Sequence, residues 1–547
     1  MGKWAPLLAV CMGTFMLVVD ETITLVALPD ISTSLHASLD ALAWVVDGYA
    51  LALAAALLAV GTLADRWGQR RVYLAGLAVF TLSSLACGLS ATPALLITMR
   101  VVQGAGAAGI YATSISLLSN TYSGRERATA LGVWGAVASG GAALGPLAGG
   151  ILTQAFGWGW IFFVNVPVGV AAIALTARAV PAPASRPSSE RAGLDVSGML
   201  LFALFASSLL YGTVRAPAAG WSGTGTLAAL LVSALALIAF VLRQRASDHP
   251  ILDLALLRRP AFTAALIAIF VGMFTAYGFM AYTSIWLQSL TGLSPLRAGL
   301  VILPSAVASM AVSVMAGHWL RRFLPRYCLP VALLLVAAGA LAQTGLTPAS
   351  TGSRVIAGLL ISGLGMGMVF PAASSLAVES VPHRRAGMAA GAFTTFQQLG
   401  YAIGVAIFAT VVAAMAKTGL TGHVTDPRAT AQQLTGGGAH AITTQAPAAA
   451  RSALEHLLRT AFVHGLNAVA LIGAILALAA AVITALALRR ETTATQSHTE
   501  PDTADTVTPV NSLGVLSCLA IRCCRATPRP PARTDRSAPP PGGNVRA

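Results

Sequence analysis

Long apolar runs, broken by short connections that carry arginine, set the pattern of this chain. Fourteen runs are long enough to cross ~30 Å of hydrocarbon. They fall at about residues 6–28, 42–62, 72–91, 94–117, 130–152, 158–178, 195–214, 224–242, 263–285, 297–316, 328–346, 355–378, 387–415 and 460–488. Each predicts a helix, because backbone in lipid must satisfy its own hydrogen bonds. Alternate connections hold the basic residues: Arg66, Arg70 and Arg71; Arg125 and Arg127; Arg186 and Arg191; Arg243, Arg245, Arg258 and Arg259; Arg321, Arg322 and Arg326; then Arg384 and Arg385. The intervening connections hold nothing basic at 29–41 or 153–157, and single arginines such as Arg215, Arg297 and Arg354. A long loop is expected at 416–459. Positive charge stays on the cytoplasmic side, so both termini are expected there.

A faint repeat divides the chain. Gly61-Thr-Leu-Ala-Asp-Arg-Trp-Gly-Gln-Arg-Arg71 follows the second run, and Gly317-His-Trp-Leu-Arg-Arg-Phe-Leu-Pro-Arg326 follows the tenth in the same register. Duplicated halves with a site at their interface are a transporter signature. The expectation is an all-α integral membrane protein of fourteen transmembrane helices, two pseudo-symmetric six-helix bundles plus two inserted helices. The first bundle takes residues 1–180, the inserted pair with its linkers 181–260, and the second bundle 261–490. The Pro/Ser-rich segment 180–193 sets the inserted pair off. The tail 491–547, rich in Thr, Pro and Arg, reads as disordered and cytoplasmic.

Composition narrows the class. Apolar residues make up 56% and charged residues 10%, against roughly a quarter charged in soluble domains. The net charge of +15 comes from arginines that punctuate apolar runs, so it points to membrane orientation and not to nucleic acid. Lys3 followed by an apolar run resembles a signal peptide, but Asp20 and the lack of a small-residue cleavage site argue against one. Cys11, Cys87 and Cys328 fall singly in apolar runs as packing residues. Cys518, Cys523 and Cys524 lie in the polar tail without histidine at ligand spacing, so neither a metal site nor a cofactor is expected.

The chemistry begins at Asp20 and Glu21, two acids inside the first apolar run. An unpaired charge in the bilayer costs at least ~3 kcal/mol, which makes such a residue a candidate for function. The alternative is a short external loop, against which the apolar sequence continues to Leu28. At ~1.5 Å per residue, Asp20 stands ~21 Å above the cytoplasmic side, Asp47 of the second run ~22 Å and Arg100 of the fourth ~18 Å. Three helices thus bring two acids and an arginine to one level, either as a proton-coupling site or as a structural Asp20–Arg100 ion pair with Asp47 wetted at the mouth. A carboxylate whose proton affinity answers to a nearby arginine can carry a proton down its gradient, and a lipophilic cation can compete for the same charge. Between Asp253 and Glu379 the chain has no acid at all, so proton coupling is expected in the first half. Gly141, Gly145, Pro146, Gly149 and Gly150 in the fifth run permit close helix approach and a bend. Gly363, Gly365 and Gly367 read as close packing. Trp44, Tyr49, Trp158 and Trp160 lie near predicted interfaces.

These motifs resemble the major facilitator superfamily, and within it the fourteen-helix drug:proton antiporters, over about residues 10–490. Gly61, Leu63, Asp65, Arg66, Gly68 and Arg70 match the loop motif between helices two and three, which the resemblance makes a latch of the inner gate. Gln69 departs from the commoner basic residue. Arg100, Gln103 and Gly104 match the helix-four motif, whose arginine is implicated in proton coupling. Gly141, Gly145, Pro146, Gly149 and Gly150 match the antiporter motif of helix five, and Asp20, Thr22, Ala27, Leu28 and Pro29 that of helix one. Leu25 in place of the usual Asn, with Trp44-Val-Val-Asp47-Gly-Tyr49, is similar to the antiseptic and quaternary-ammonium exporters. Gly159 stands where the branch usually has Arg.

The resemblance implies a proton-coupled antiporter that exports hydrophobic, cationic drugs from the cytoplasm by alternating access. It would be a monomer in the bacterial inner membrane, with a lipophilic small molecule and protons as partners and no nucleic acid. Asp20 and Arg100 would couple protons, and Asp47, Glu21, Tyr49 and Gln103 would line the substrate site. Asp65, Arg66 and Arg70, with Gly61 and Gly68, would form the inner gate. The alternatives are a self-resistance exporter of one secondary metabolite and a transporter-like sensor. No nucleophile–base pair or phosphate loop supports an enzyme.

Overall fold

The computed structural model describes residues 2–37, 39–181, 195–247, 250–322, 325–382 and 385–497. Among these no strand occurs, and each of the fourteen apolar runs falls in a helix. The first six helices are α1 (Ala5–Leu35), α2 (Leu39–Trp67), α3 (Gln69–Gly88), α4 (Pro93–Thr121), α5 (Gly124–Phe156) and α6 (Trp160–Ala179). α7 (Val196–Ala219) and α8 (Thr224–Ala246) form a hairpin. Then come α9 (Pro260–Leu290), α10 (Pro295–Arg322), α11 (Pro325–Ala342), α12 (Ser353–Glu379) and α13 (Ala386–Leu420). The short α14 (Pro427–Thr435) and α15 (Ala439–Gln445) precede the long α16 (Arg451–Ser497). Among the described residues, twelve stretches are long and apolar enough to cross a membrane. α5 and α11 hold shorter apolar stretches, Leu147–Phe156 and Tyr327–Ala342. This is a multi-pass membrane protein.

Local chemistry sets the helix ends. Thr92 accepts a hydrogen bond from the Leu95 N–H at 3.3 Å, and Pro93 opens α4, the usual pairing of a hydroxyl cap with proline in the first turn. Asp195 caps α7 by accepting from the Gly198 N–H at 3.0 Å. It also accepts from Arg243 Nε at 3.0 Å and Gln244 Nε2 at 2.9 Å, which ties the feet of α7 and α8 together. Burial pushes the Asp195 carboxyl up, but these donors and Ser197 together hold it below the usual range. α9 contains two π-helical turns, Met273–Tyr277 and Trp286–Leu290.

Small residues let the helices approach, which is how packing works where lipid replaces water. A Cβ added to Gly76 of α3 would meet Gly106 O of α4 at 2.9 Å, and one on Gly104 would meet Tyr49 O of α2 at 2.3 Å. In the second half a Cβ on Gly363 would meet Ser305 O at 2.2 Å, and one on Gly367 Ser309 O at 2.5 Å. α7 packs on both α2 and α13, so the inserted hairpin touches a helix of each half.

Two expected boundaries move. The loop expected at 416–459 is largely helical, because Asp426 caps α14 through the Arg428 and Ala429 N–H groups at 3.0 Å each, and Ala431, Leu434 and Ala439 are buried. The last helix runs to Ser497, past the tail boundary expected at 491. Residues 182–194 with Arg186 and Arg191, residues 383–384 with Arg384, and the tail from 498 with its three cysteines lie outside the described residues.

Candidate functional site

Asp20 projects from α1 into the interior of the first six helices and is fully buried. Its Oδ2 accepts from Arg100 Nη1 at 2.6 Å, and its Oδ1 from Gln103 Nε2 at 3.0 Å and Asn165 Nδ2 at 2.7 Å. Arg100 also donates through Nε to Val45 O at 3.0 Å and through Nη1 to Gln103 Oε1 at 2.7 Å. Ser84 Oγ accepts from Gln103 at 2.6 Å and from Asn165 at 3.2 Å. The Arg100 guanidinium carbon lies 4.2 Å from the Tyr49 ring centre and 5.8 Å from that of Phe162. Six residues of four helices thus close around one buried ion pair. Such a pair is held against its desolvation cost when further hydrogen bonds satisfy its remaining groups, and here both Asp20 oxygens and Arg100 Nε and Nη1 are bonded.

The sequence-predicted substrate contacts separate. Tyr49 and Gln103 are sealed inside this network, at 1% and 0% exposure, and offer no surface to a drug. Asp47 does not join Asp20 and Arg100. The α2 group to which Arg100 donates is the Val45 carbonyl, and the cation whose field reaches Asp47 is Arg215 of α7, which forms no ion pair with it. A shared depth does not fix a shared direction, and residues 45 and 47 of a helix point about 200° apart. Glu21, one residue along α1 from Asp20, turns out of the first bundle. It is half-buried, and Gln398 of α13 is the side chain that reaches its carboxyl. Its charge acts on Tyr111 of α4 and Tyr401 of α13.

The glycines of α5 lie along α1. A Cβ on Gly141 would meet Val18 Cβ at 3.3 Å, one on Gly145 Thr22 Oγ1 at 1.8 Å, and one on Gly149 Ile23 O at 3.0 Å. Gly150 has open space around it. α5 runs unbroken through residue 146, and the Pro146 side chain lies outside the described set.

At the loop between α2 and α3, Asp65 reaches the start of α13. Its two oxygens accept from the Gly387 and Met388 N–H groups at 2.8 Å each. Carboxylates are favoured at helix N-termini, where unpaired N–H groups and the helix dipole converge. Gly61 makes the approach possible, since its Cβ would meet Gly387 O at 2.8 Å. Arg70 instead donates to Ala177 O of α6 at 2.6 Å, and Gly68 turns the loop at φ 93°. Arg66 lies in the last turn of α2. Arg385 pairs with Asp253 of the linker between α8 and α9, so that linker is tied to the same helix start.

A family model for the Major Facilitator Superfamily matches residues 10–405. The chain belongs to this family. It is a transporter and not an enzyme. The chain is 36% identical over 420 residues to the multidrug resistance protein Stp of Mycobacterium tuberculosis, spanning 76% of this chain and 77% of that one. It is 34% identical to the tetracenomycin C resistance and export protein of Streptomyces glaucescens, spanning 75% and 76%. To the multidrug efflux pump LfrA of Mycolicibacterium smegmatis it is 33% identical, spanning 89% and 96%. The solved human organic anion transporter MFSD10 (TETRAN) shares the fold with a TM-score of 0.57 at 16% identity, covering 87% of this chain and all of that one.

In this facilitator, Ser84, Asn165 and Gln398 are the site residues that motif reading missed. Asn165 had a legible signal, as a single amide between Val164 and Val166 in an apolar run. Ser84 and Gln398 had none, because serine is common in packed membrane helices and Gln398 acts through its place opposite Glu21.

Proposed function

We propose that this facilitator is a proton-coupled antiporter exporting hydrophobic, cationic drugs from a bacterial cytoplasm. It crosses the inner membrane fourteen times, as bundles 1–180 and 261–490 with a hairpin inserted between them and both termini inside. The observation that carries this reading is the sealed Asp20–Arg100 pair with its neighbours Gln103, Asn165 and Ser84. A proton on Asp20 would cancel the charge that holds Arg100 and loosen the grip of α2, α4 and α6 on α1. The seam at Gly141, Gly145 and Gly149 lets α1 shift against α5. Glu21 shares α1 with Asp20 and faces α13, so a cationic drug bound at the junction and a proton bound in the bundle act on one helix. Asp65 at the start of α13 would latch the inner end, and on this reading its bonds belong to a state closed to the cytoplasm. Rocking the halves would break that cap and reopen the drug's entry.

Proton release from energised everted vesicles, challenged with monovalent lipophilic cations, dications and neutral drugs in turn, tests the reading. Release with cations that is absent in Asp20→Asn supports it. Undiminished release by that variant removes Asp20 as the carrier. Likeness to a tetracenomycin C exporter favours a second reading, a dedicated self-resistance pump. Silence across the panel, with release on adding tetracenomycin C, would select it.

A further inference from the structure

The inserted hairpin brings its own cation to α2. Tyr211 and Arg215 are four residues apart on α7 and share a face, as do Trp44 and Asp47 on α2. The Tyr211 and Trp44 rings lie 6.0 Å apart with planes tilted by 32°, and the Arg215 guanidinium carbon sits 5.1 Å from the Tyr211 ring centre. Through this ring pair Arg215 stands on the side of α2 that carries Asp47, close enough for its charge to be felt there without an ion pair. Asp47 is half-buried, while Trp44 and Arg215 are exposed. An acid beside two aromatic rings is the chemistry that holds a lipophilic cation. A guanidinium of the chain itself already stands against one of these rings, beyond ion-pair distance of the acid, in a structure whose α2 end at Asp65 is bonded to α13.

We propose that Arg215 is a specificity-determining residue, an internal cation that competes with the transported cation for Asp47, Trp44 and Tyr211. This rests on reading Asp47 as a cation contact. Arginine stays charged at any working pH, so the competition is charge against charge. It weakens hold on a monovalent lipophilic cation at the outer end of α2, favours its departure once the inner end is shut, and leaves a neutral drug untouched. The hairpin thereby supplies a release device without entering the proton-coupling network.

Binding of tetraphenylphosphonium and of chloramphenicol to the purified full-length protein tests this. Arg215→Gln is expected to bind tetraphenylphosphonium about tenfold tighter, since a competing unit charge is removed near a partly desolvated acid. Chloramphenicol binding stays unchanged. Arg215→Lys restores wild-type behaviour, and Asp47→Asn/Arg215→Gln loses the gain. If Asp47→Asn weakens tetraphenylphosphonium binding while Arg215→Gln equals wild type, the Arg215 inference is overturned and the Asp47 reading stands. If Asp47→Asn changes nothing in either background, the Asp47 reading itself falls.

Discussion

Each half of the molecule ties its third helix to its fourth through a glutamine and a serine nineteen residues apart. In the first half Gln103 Nε2 donates to Ser84 Oγ at 2.6 Å, and in the second Gln343 Nε2 approaches Ser362 Oγ at 3.5 Å. The surroundings differ. Around Ser84 and Gln103 stand Asp20, Arg100 and Asn165, all buried and mutually bonded. Gln343 has only Gly339 O besides its serine, and its Oε1 has no partner. The glycine seams between the second and fourth helices are alike: Gly104 faces the Tyr49 carbonyl in one half, and Gly363 and Gly367 face the Ser305 and Ser309 carbonyls in the other, while Gly145 of α5 faces the Thr22 side chain of α1. One framework thus carries a buried charge network in one half and a neutral contact at the matching place in the other. A rocking transporter can work this way, with one bundle sensing protons.

The largest expected effect is the loss of that asymmetry. Asp20→Asn keeps the shape of the network and removes its titratable charge, so cation-driven proton release should fall to background with the protein still in the membrane. The equivalent change opposite, Gln343→Ala, should leave release intact. Loss of release in both would show that the second half also couples. Next in size is the seam. Gly145→Leu overpacks α1 against α5, where overpacking costs about 1–3 kcal/mol, and should cut efflux about tenfold or more. Gly150→Leu, in open space, should transport normally. Equal efflux by the two variants would dissociate the seam from the motion.

The same contrast predicts stability. Arg100→Ala leaves a buried carboxylate without its cation, a loss of about 3–5 kcal/mol. Gln343→Ala removes one weak neutral contact, worth about 1 kcal/mol. Thermal melts in detergent should therefore separate the two variants widely, with Asp20→Asn/Arg100→Gln recovering part of the Arg100→Ala loss. Similar melts for both single variants would mean that the ion pair is solvated and not sealed.

What the sequence made legible follows from how each signal arises. Helices and their order were readable because lipid forces long apolar runs. The Asp20–Arg100 pair was readable because charged residues inside apolar runs are conspicuous, an adjacent acid pair in the first and an arginine in the fourth. Asp47 was read as a neighbour of Asp20 and Arg100 and is not bonded to either, since depth counts residues along a helix and says nothing of azimuth. The cation whose field reaches it, Arg215, comes from a hairpin whose docking between α2 and α13 no local pattern encodes. Tyr49 and Gln103 looked like substrate contacts because a motif gives residue types without exposure. The helices at 427–445 escaped because their capping Asp426 and buried Leu434 make too short a pattern to stand out from a polar loop.

The smallest expected effect lies where the two halves meet. Asp65 bonds two N–H groups at the start of α13, so its worth combines hydrogen bonds with the attraction of a carboxylate to a helix N-terminus. Asp65→Asn keeps an acceptor and removes the charge, a loss of about 0.3–1 kcal/mol. That should shift the balance toward the state open at this end by about two- to fivefold. Spin labels on the facing ends of α2 and α13 would read the shift as a larger share of long distances. The same labels in Arg70→Gln should show little change, because Arg70 bonds the Ala177 carbonyl within the first half and not the second. If Arg70→Gln opens this end as far as Asp65→Asn does, the gate resides in the loop as a whole and not in the helix cap.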